Sequence, residues 1–194
     1  NFDALERYFI TQGREWERYA WLKARALTGA AHAELETIAR PFVFRKYLDF
    51  GAINAMRELH AQIRREVARR DRANNVKLGP GGIREIEFIA QVFQLIRGGR
   101  DAQLQIKPTV KVLSLLSERG QLGLDAVIEL TAAYDFLRRL EHRLQYLDDA
   151  QTHTLPEKPE DQALIGRGMG FADFGALLEE LDDHRANVSR HFEA

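Results

Sequence analysis

The sequence contains no cysteine, which excludes disulfides, thiol catalysis and every zinc site built on thiolates, and fits a reducing cytoplasm. Net charge is nearly absent too: 28 Lys and Arg face 29 Asp and Glu, leaving −1 at pH 7. So weak a whole-chain field gives no general attraction to nucleic acid or to an anionic membrane, and neither is expected as a partner. No apolar run approaches the roughly 20 residues that span a bilayer. The first residues, Asn1-Phe2-Asp3-Ala4-Leu5-Glu6, have neither the regions of a signal peptide nor an initiator methionine, and the expectation is a cytoplasmic piece of a longer chain. Sustained period-two alternation, solenoid-length repeats and low-complexity linkers are all missing.

What is there is helical periodicity. A chain of 194 residues, 45% of them hydrophobic, can bury one sizeable core, and the expectation is a single all-α domain over residues 1–194. Its expected form is bundle-like, with one long hydrophobic central helix and a Gly-rich loop between helices. Asp3 and Glu6 resemble a capping box, predicting a helix from about residue 3. Gly13 interrupts the apolar spacing, and Trp16, Tyr19, Ala20 and Leu27 resume it toward Gly29. Residues 32–40 read as a short helix, Pro41 as the first turn of another, and Phe42, Val43, Phe44, Tyr47 and Leu48 as core. Ile53, Met56, His60, Ile63 and Val67 share one stripe of a long amphipathic helix over 52–72, with arginines at 57, 64, 65, 69, 70 and 72. The acids among those arginines favour a solvated face over nucleic-acid binding.

Residues 74–82 break that helix. Residues 83–96 are apolar on most faces, except that Arg84, Glu87, Gln91 and Gln94 form one polar stripe, which must meet water, a cleft or buried partners. Helices are expected over 109–119, from 123 to about 149, from Pro159 to about Arg167, and from Phe171 to about Phe192.

The turn Gly79-Pro80-Gly81-Gly82 feeding a helix N-terminus suits an anion, because backbone N–H groups and the positive helix end would both point outward. Lys77 and Arg84 would flank such a site, one as a mobile point charge and the other as a planar fork for phosphate or carboxylate. Glycine here also reads as a loop cramped against a neighbouring helix. The spacing fits neither a Walker A loop nor a dinucleotide fingerprint. Glu85 and Glu87 complement the helix N-terminus, or position a hydroxyl, a water or a divalent ion. Arg138, Arg139, Glu141, His142 and Arg143 form a charged cluster, which reads as a solvated face or ion-pair network, or as the second wall of a cleft beside the polar stripe. In Gly13-Arg14-Glu15-Trp16-Glu17-Arg18, Trp16 reads as a core anchor with charged neighbours on the surface. An Arg/Lys face toward a nucleotide is the alternative. The six histidines show no metal-binding cluster, and no Ser-His-Asp constellation is legible. A Gly-Ser followed by Asp-x-Asp, the carboxylate pair of two-metal nucleotidyl transfer, is also missing.

Taken together, Asn75-Val76-Lys77-Leu78-Gly79-Pro80-Gly81-Gly82-Ile83-Arg84-Glu85-Ile86-Glu87-Phe88, the Gly13 to Arg18 segment, Arg138-Arg139-Leu140-Glu141-His142-Arg143-Leu144-Gln145 and Gln151-Thr152-His153-Thr154-Leu155-Pro156 resemble the glutamate-ammonia ligase (glutamine synthetase) adenylyltransferase family over essentially the whole chain. Uridylyltransferases of the PII signal protein look similar at the Asn-x-Lys-x-Gly-x-Gly-Gly turn, but Ile-Glu-Phe and Gly-Arg-Glu-Trp-Glu-Arg favour the glutamine synthetase enzymes. The resemblance implies a helical domain that closes the cleft of an upstream nucleotidyltransferase core, with the wording of its motifs closer to the N-terminal, deadenylylating half. Family members carry one unit that attaches AMP to a tyrosine of glutamine synthetase from ATP and one that removes it by phosphorolysis, yielding ADP. The implied cofactors are Mg²⁺ and ATP or ADP for the full-length enzyme, with none bound by this fragment alone, and the implied partners are glutamine synthetase, PII and the upstream core. Lys77, Gly79, Gly81, Gly82, Arg84, Glu85, Glu87, Arg139, Glu141 and Arg143 become candidates for the phosphate or nucleotide cleft, with no catalytic and no metal residue in the fragment. Without the core the fragment is expected to be inactive. A regulatory module that docks glutamine synthetase or PII is the alternative.

Overall fold

The computed structural model describes residues 1–46, 54, 58, 61, 74–147, 149 and 151–194. Within them lie eight α-helices: α1 (Phe2–Thr11), α2 (Glu15–Lys23), α3 (His32–Val43), α4 (Ile83–Arg97), α5 (Thr109–Glu118), α6 (Leu124–Leu147), α7 (Pro159–Met169) and α8 (Phe174–Glu193). A 3-10 turn, Ala102–Leu104, stands between α4 and α5. Among the described residues there is no β-strand, only one isolated antiparallel bridge between Asn75 and Thr154. No described helix is long and apolar enough to cross a membrane. The described residues are thus all-α, and the chain divides into two compact units, Asn1–Ala61 with Ala90–Leu116, and Gln62–Ile89 with Ser117–Ala194.

In the first unit α3 packs against both α1 and α2. Phe9 of α1 stacks on Phe42 of α3 with ring centroids 4.2 Å apart, and meets Trp21 edge-on at 5.3 Å. Such close offset aromatic contacts add to the burial of large apolar area. Gly13 allows the chain to turn here, because a β-carbon would meet Phe42 at 2.5 Å and the Phe9 carbonyl oxygen at 2.8 Å.

Several expectations for this unit need correction. The cap of α1 is Asn1, whose Oδ1 accepts from the Ala4 N–H at 2.9 Å, and Asp3 lies inside the first turn. Helix α2 ends at Lys23, well before Gly29, because Ala24 is already extended. Trp16 is 53% exposed and Leu27 76%, whereas Arg18 and Leu22 are buried. The inward face of α2 therefore carries an arginine, while Trp16 faces solvent. Arg18 Nε donates to the Phe42 carbonyl and Nη2 to the Val43 carbonyl, each at 3.0 Å, and Nη1 pairs with Glu15. These are carbonyls at the end of α3, which have no partner inside the helix, so a fully bonded arginine is stable there. Pro41 opens no new helix but sits in the last turn of α3, where its missing N–H and ring clash disturb few remaining bonds. Phe42 and Val43 are core as expected; Tyr47, Leu48 and most of the helix expected over 52–72 lie outside the described residues.

The second unit is built from α6, α7 and α8, which pack on one another. Leu130, Leu137, Leu140 and Leu144 of α6 are fully buried, as are Leu177, Leu181 and Val188 of α8. Helix α7 stops at Gly170, left-handed at φ 89°, and α8 starts on Asp173, whose Oδ1 accepts from the Ala176 N–H at 2.9 Å. The expected bounds of α4, α5 and α6 hold to within about two residues, the usual uncertainty of a helix end.

Candidate functional site

Residues 74–85 form a turn organised by Asn75. Its Oδ1 accepts from the N–H groups of Lys77, at 3.0 Å, and Leu78, at 2.8 Å, while its carbonyl accepts from Gly79 at 2.9 Å. The turn is pinned to residues 153–155, since Val76 N–H donates to the His153 carbonyl at 2.8 Å and Leu155 N–H to the Asn74 carbonyl at 3.0 Å. It then runs into α4 with Gly82, Ile83, Arg84 and Glu85 donating to the carbonyls of Gly79, Val76, Lys77 and Gly82. Gly81 N–H donates to the Glu85 carboxylate at 3.0 Å. Every N–H from Lys77 to Glu85 thus has an internal acceptor, Pro80 having none to offer.

This corrects one expectation: the amides at the start of α4 do not point outward to cradle an anion. The glycines instead answer to packing. Gly81 has φ +66° and lies against the Arg185 backbone of α8, and a β-carbon at Gly82 would stand 2.8 to 2.9 Å from the carbonyl oxygens of Gly79, Lys77 and Val76. The cramped-loop reading of these residues therefore describes their backbone, and any ligand chemistry falls to side chains.

Those side chains meet at Glu141. Its carboxylate is buried (1% exposed), with Lys77 Nζ 3.2 Å from Oε1, His153 Nδ1 3.0 Å from the same oxygen, and Arg138 Nη1 on Oε2. Neither Lys77 nor His153 approaches Oε1 at an angle that makes a directed hydrogen bond, so the Lys77 contact is one of charge. The side chains of Lys77 and Arg138 are each about one-third exposed, at 30% and 36%, and set their cationic ends against the buried anion. The pKa of His153 is lowered, first by burial and then by the neighbouring Lys77 charge, with Glu141 opposing and Arg138 adding to the effect. The ring is therefore held toward its neutral form.

The other candidates fall elsewhere. Glu85 is buried on the turn it caps, while Arg84 and Glu87 are half-buried on the first turns of α4. Arg139 and Arg143 are exposed, two residues either side of Glu141 and so on another face of α6; Arg143 runs beside Gly168 of α7. The structure brings together Lys77 and Glu141, and leaves Arg139 and Arg143 out of that cluster. Sequence reasoning passed over Asn75, Arg138, His153 and Arg185 as site residues. Three of them stood inside motifs already singled out; Arg185 carried no local signal. The polar stripe of α4 ends on buried partners, since Gln94 Nε2 donates to the carbonyls of Leu104 and Ile106, both at 2.6 Å. Among the described residues no group of three or more His, Asp or Glu is placed to hold a metal ion.

The turn and the Glu141 cluster lie in a segment that a known family covers: the profile described as GlnD PII-uridylyltransferase matches residues 57–194, well over half of the chain. The chain belongs to that family. A second profile, Glutamate-ammonia ligase adenylyltransferase, matches residues 1–40, the part that holds the Gly13 to Arg18 segment. The two matches divide the chain as its motifs do, with the glycine turn in the first and Gly-Arg-Glu-Trp-Glu-Arg in the second. Curated relatives named "Bifunctional glutamine synthetase adenylyltransferase/adenylyl-removing enzyme" include that of Aromatoleum aromaticum, 71% identical over 193 residues, covering 100% of this chain and 21% of the relative. Those of Nitrosomonas europaea, 64% identical over 192 residues, and Chromobacterium violaceum, 63% over 193, cover 97% and 100% of this chain and 21% and 22% of their own lengths. The chain spans about a fifth of the length of these relatives. It corresponds to that part of such an enzyme, as its motifs led us to expect, and carries a domain of the uridylyltransferase type.

Proposed function

We propose that this chain is the helical domain following a nucleotidyltransferase core in a bifunctional glutamine synthetase adenylyltransferase/adenylyl-removing enzyme, where it closes the nucleotidyl-transfer cleft of the N-terminal, deadenylylating half. Both compact units belong, in this reading, to the one domain over residues 1–194. The observation that carries it is Lys77, held on an internally bonded turn with its ammonium 3.2 Å from the buried Glu141 carboxylate and its side chain still 30% exposed. A flexible lysine tethered in this way is a positioned cation, and positioned charge is what phosphoryl and nucleotidyl transfer take from protein side chains. Inorganic phosphate attacks the adenylyl phosphorus, the tyrosyl oxygen leaves, and ADP forms; Lys77 and Arg84 offset the phosphate charge. Gly79, Gly81 and Gly82 shape the turn, Glu85 caps it, and Glu87, Arg139, Glu141 and Arg143 wall the cleft. ATP, ADP and Mg²⁺ act in the full-length cytoplasmic enzyme, whose upstream core supplies the metal ligands and whose partners are glutamine synthetase and PII.

Lys77→Ala and Arg84→Ala in the full-length enzyme test this reading. Phosphorolysis falls by about tenfold or more, adenylylation persists, and binding to glutamine synthetase and PII is unchanged. Loss of docking with normal turnover of a small surrogate supports the second reading, a regulatory docking module, which the exposed Ile10, Trp16 and Leu27 of the first unit favour. Wild-type activity in both variants leaves the turn as a packing device and refutes the cleft assignment.

A further inference from the structure

A helix that carries none of the motifs packs directly against the glycine turn. Arg185 of α8 touches the turn at two points. Its backbone lies against Gly81, where a β-carbon would be 2.3 Å from the Arg185 carbonyl oxygen and 2.5 Å from its Cα. Its side chain reaches back so that Nη2 donates to the Asn75 carbonyl at 3.2 Å. That oxygen also accepts from Gly79 N–H, and the Asn75 Oδ1 holds the amides of Lys77 and Leu78. One arginine thereby fixes both ends of the loop from which Lys77 projects.

The side chain stays in place at a cost. Burial lowers its pKa, Asp182 opposing, and its Nε is buried with no acceptor. A residue that only filled space here would be better served by an apolar side chain of similar volume. We propose that Arg185 is a positioning residue of the cleft, setting through Asn75 the place where Lys77 meets Glu141. A contiguous path of contacts runs from Arg185 to Asn75, along the backbone to Lys77, and on to Glu141 and His153. The inference deepens the cleft reading and rests on it for its kinetic consequence alone.

The test uses the full-length enzyme with Arg185→Met, which keeps the apolar stem and removes only the guanidinium, with Lys77→Ala, and with the two combined. Imidazole-labelled protein reports the titration of His153 by NMR. Removing Lys77 takes away a cation that disfavours protonation, so His153 titrates at higher pH in Lys77→Ala. Arg185→Met shifts it in the same direction, and the double variant goes no further than Lys77→Ala alone. In phosphorolysis, Arg185→Met lowers kcat by about tenfold with KM and glutamine synthetase docking unchanged, and again adds nothing to Lys77→Ala. An unshifted His153 titration in Arg185→Met, or effects that multiply in the double variant, overturns the proposal. Wild-type turnover in Lys77→Ala refutes the cleft reading instead, while the titration still decides whether Arg185 places Lys77. Should Arg185→Met fail to fold, Arg185→Lys keeps the charge without the planar fork. It shifts His153 in the same sense by less, and no shift overturns the proposal equally.

Discussion

Gly81 backs onto Arg185 so closely that no side chain fits between them: a β-carbon would approach the Arg185 carbonyl carbon to 2.7 Å and its oxygen to 2.3 Å. The obstacle is backbone on both sides, so no rotamer change can relieve it. The positive φ at Gly81 adds a second, independent demand for glycine.

Gly81→Ala is therefore expected to cost roughly 1–3 kcal/mol from overpacking, with backbone strain on top. Gly120 has a similar φ of +62° but nothing within 4 Å of a β-carbon, so Gly120→Ala pays the conformational term alone, about 1 kcal/mol. Thermal unfolding of the two variants side by side should place Gly81→Ala well below Gly120→Ala. Equal melting temperatures would contradict the close approach.

His153 gives the second unit a pH dependence. Its pKa in the fold is lowered, and Lys77, Arg138 and Glu141 are the charged groups that face it. Below the unfolded-state value, about 6.5, the unfolded chain binds a proton that the folded ring resists. Stability is therefore complete above that value and lost as pH falls toward the folded pKa. Denaturant melts at pH 7.5 and at pH 5.5 should show the loss, and His153→Gln should reduce it. A wild-type difference that persists undiminished in the variant would assign the effect to another group.

Glu141 makes Lys77 a stabilising residue as well as a candidate ligand. Lys77→Met leaves the buried carboxylate with Arg138 and a neutral histidine, at an expected cost of about 1–3 kcal/mol. Lys77→Met combined with Glu141→Leu removes the stranded charge and should recover part of that loss. A double variant less stable than the sum of its parts would mean the carboxylate is held chiefly by other contacts.

In the first unit, Arg18→Met strips two partners from the end of α3 and leaves Glu15 with Arg45 alone among its described ion pairs, at 3.1 Å. A loss of about 2–3 kcal/mol is expected. Lysine should not rescue it, because one ammonium cannot reproduce the two-pronged donation to the Phe42 and Val43 carbonyls. Circular dichroism melts of Arg18→Met and Arg18→Lys provide the check; full stability of the lysine variant would argue against the fork geometry.

What could be read in the sequence follows the range of the interactions. Helix α4 was legible because its apolar positions and flanking glycines lie within a few residues of one another, and the stop of α7 at Gly170 is equally local. The burial of Arg18 was not, because its acceptors stand 24 and 25 residues away and nothing nearby marks an arginine as core. The tryptophan beside it took the role that hydrophobicity alone assigns. The candidate site divides the same way. The glycines and Lys77 announced themselves by composition, whereas the carboxylate that pairs with Lys77 is 64 residues on, and Arg185 reaches Asn75 across 110. The outward amides were a fair inference from a helix N-terminus, overturned by Asn75, Glu85 and the carbonyls of the turn itself, which take up the donors first.

A turn whose amides are all spoken for has already lost its freedom before any neighbouring surface arrives. Ordering a loop of this length on contact costs on the order of 1 kcal/mol for each residue frozen, and the loop carrying Lys77 has settled that account during folding. In the proposed cleft role, only the tip of the Lys77 side chain would remain to be arrested on binding, so the contact could be brief, reversible and still well aimed.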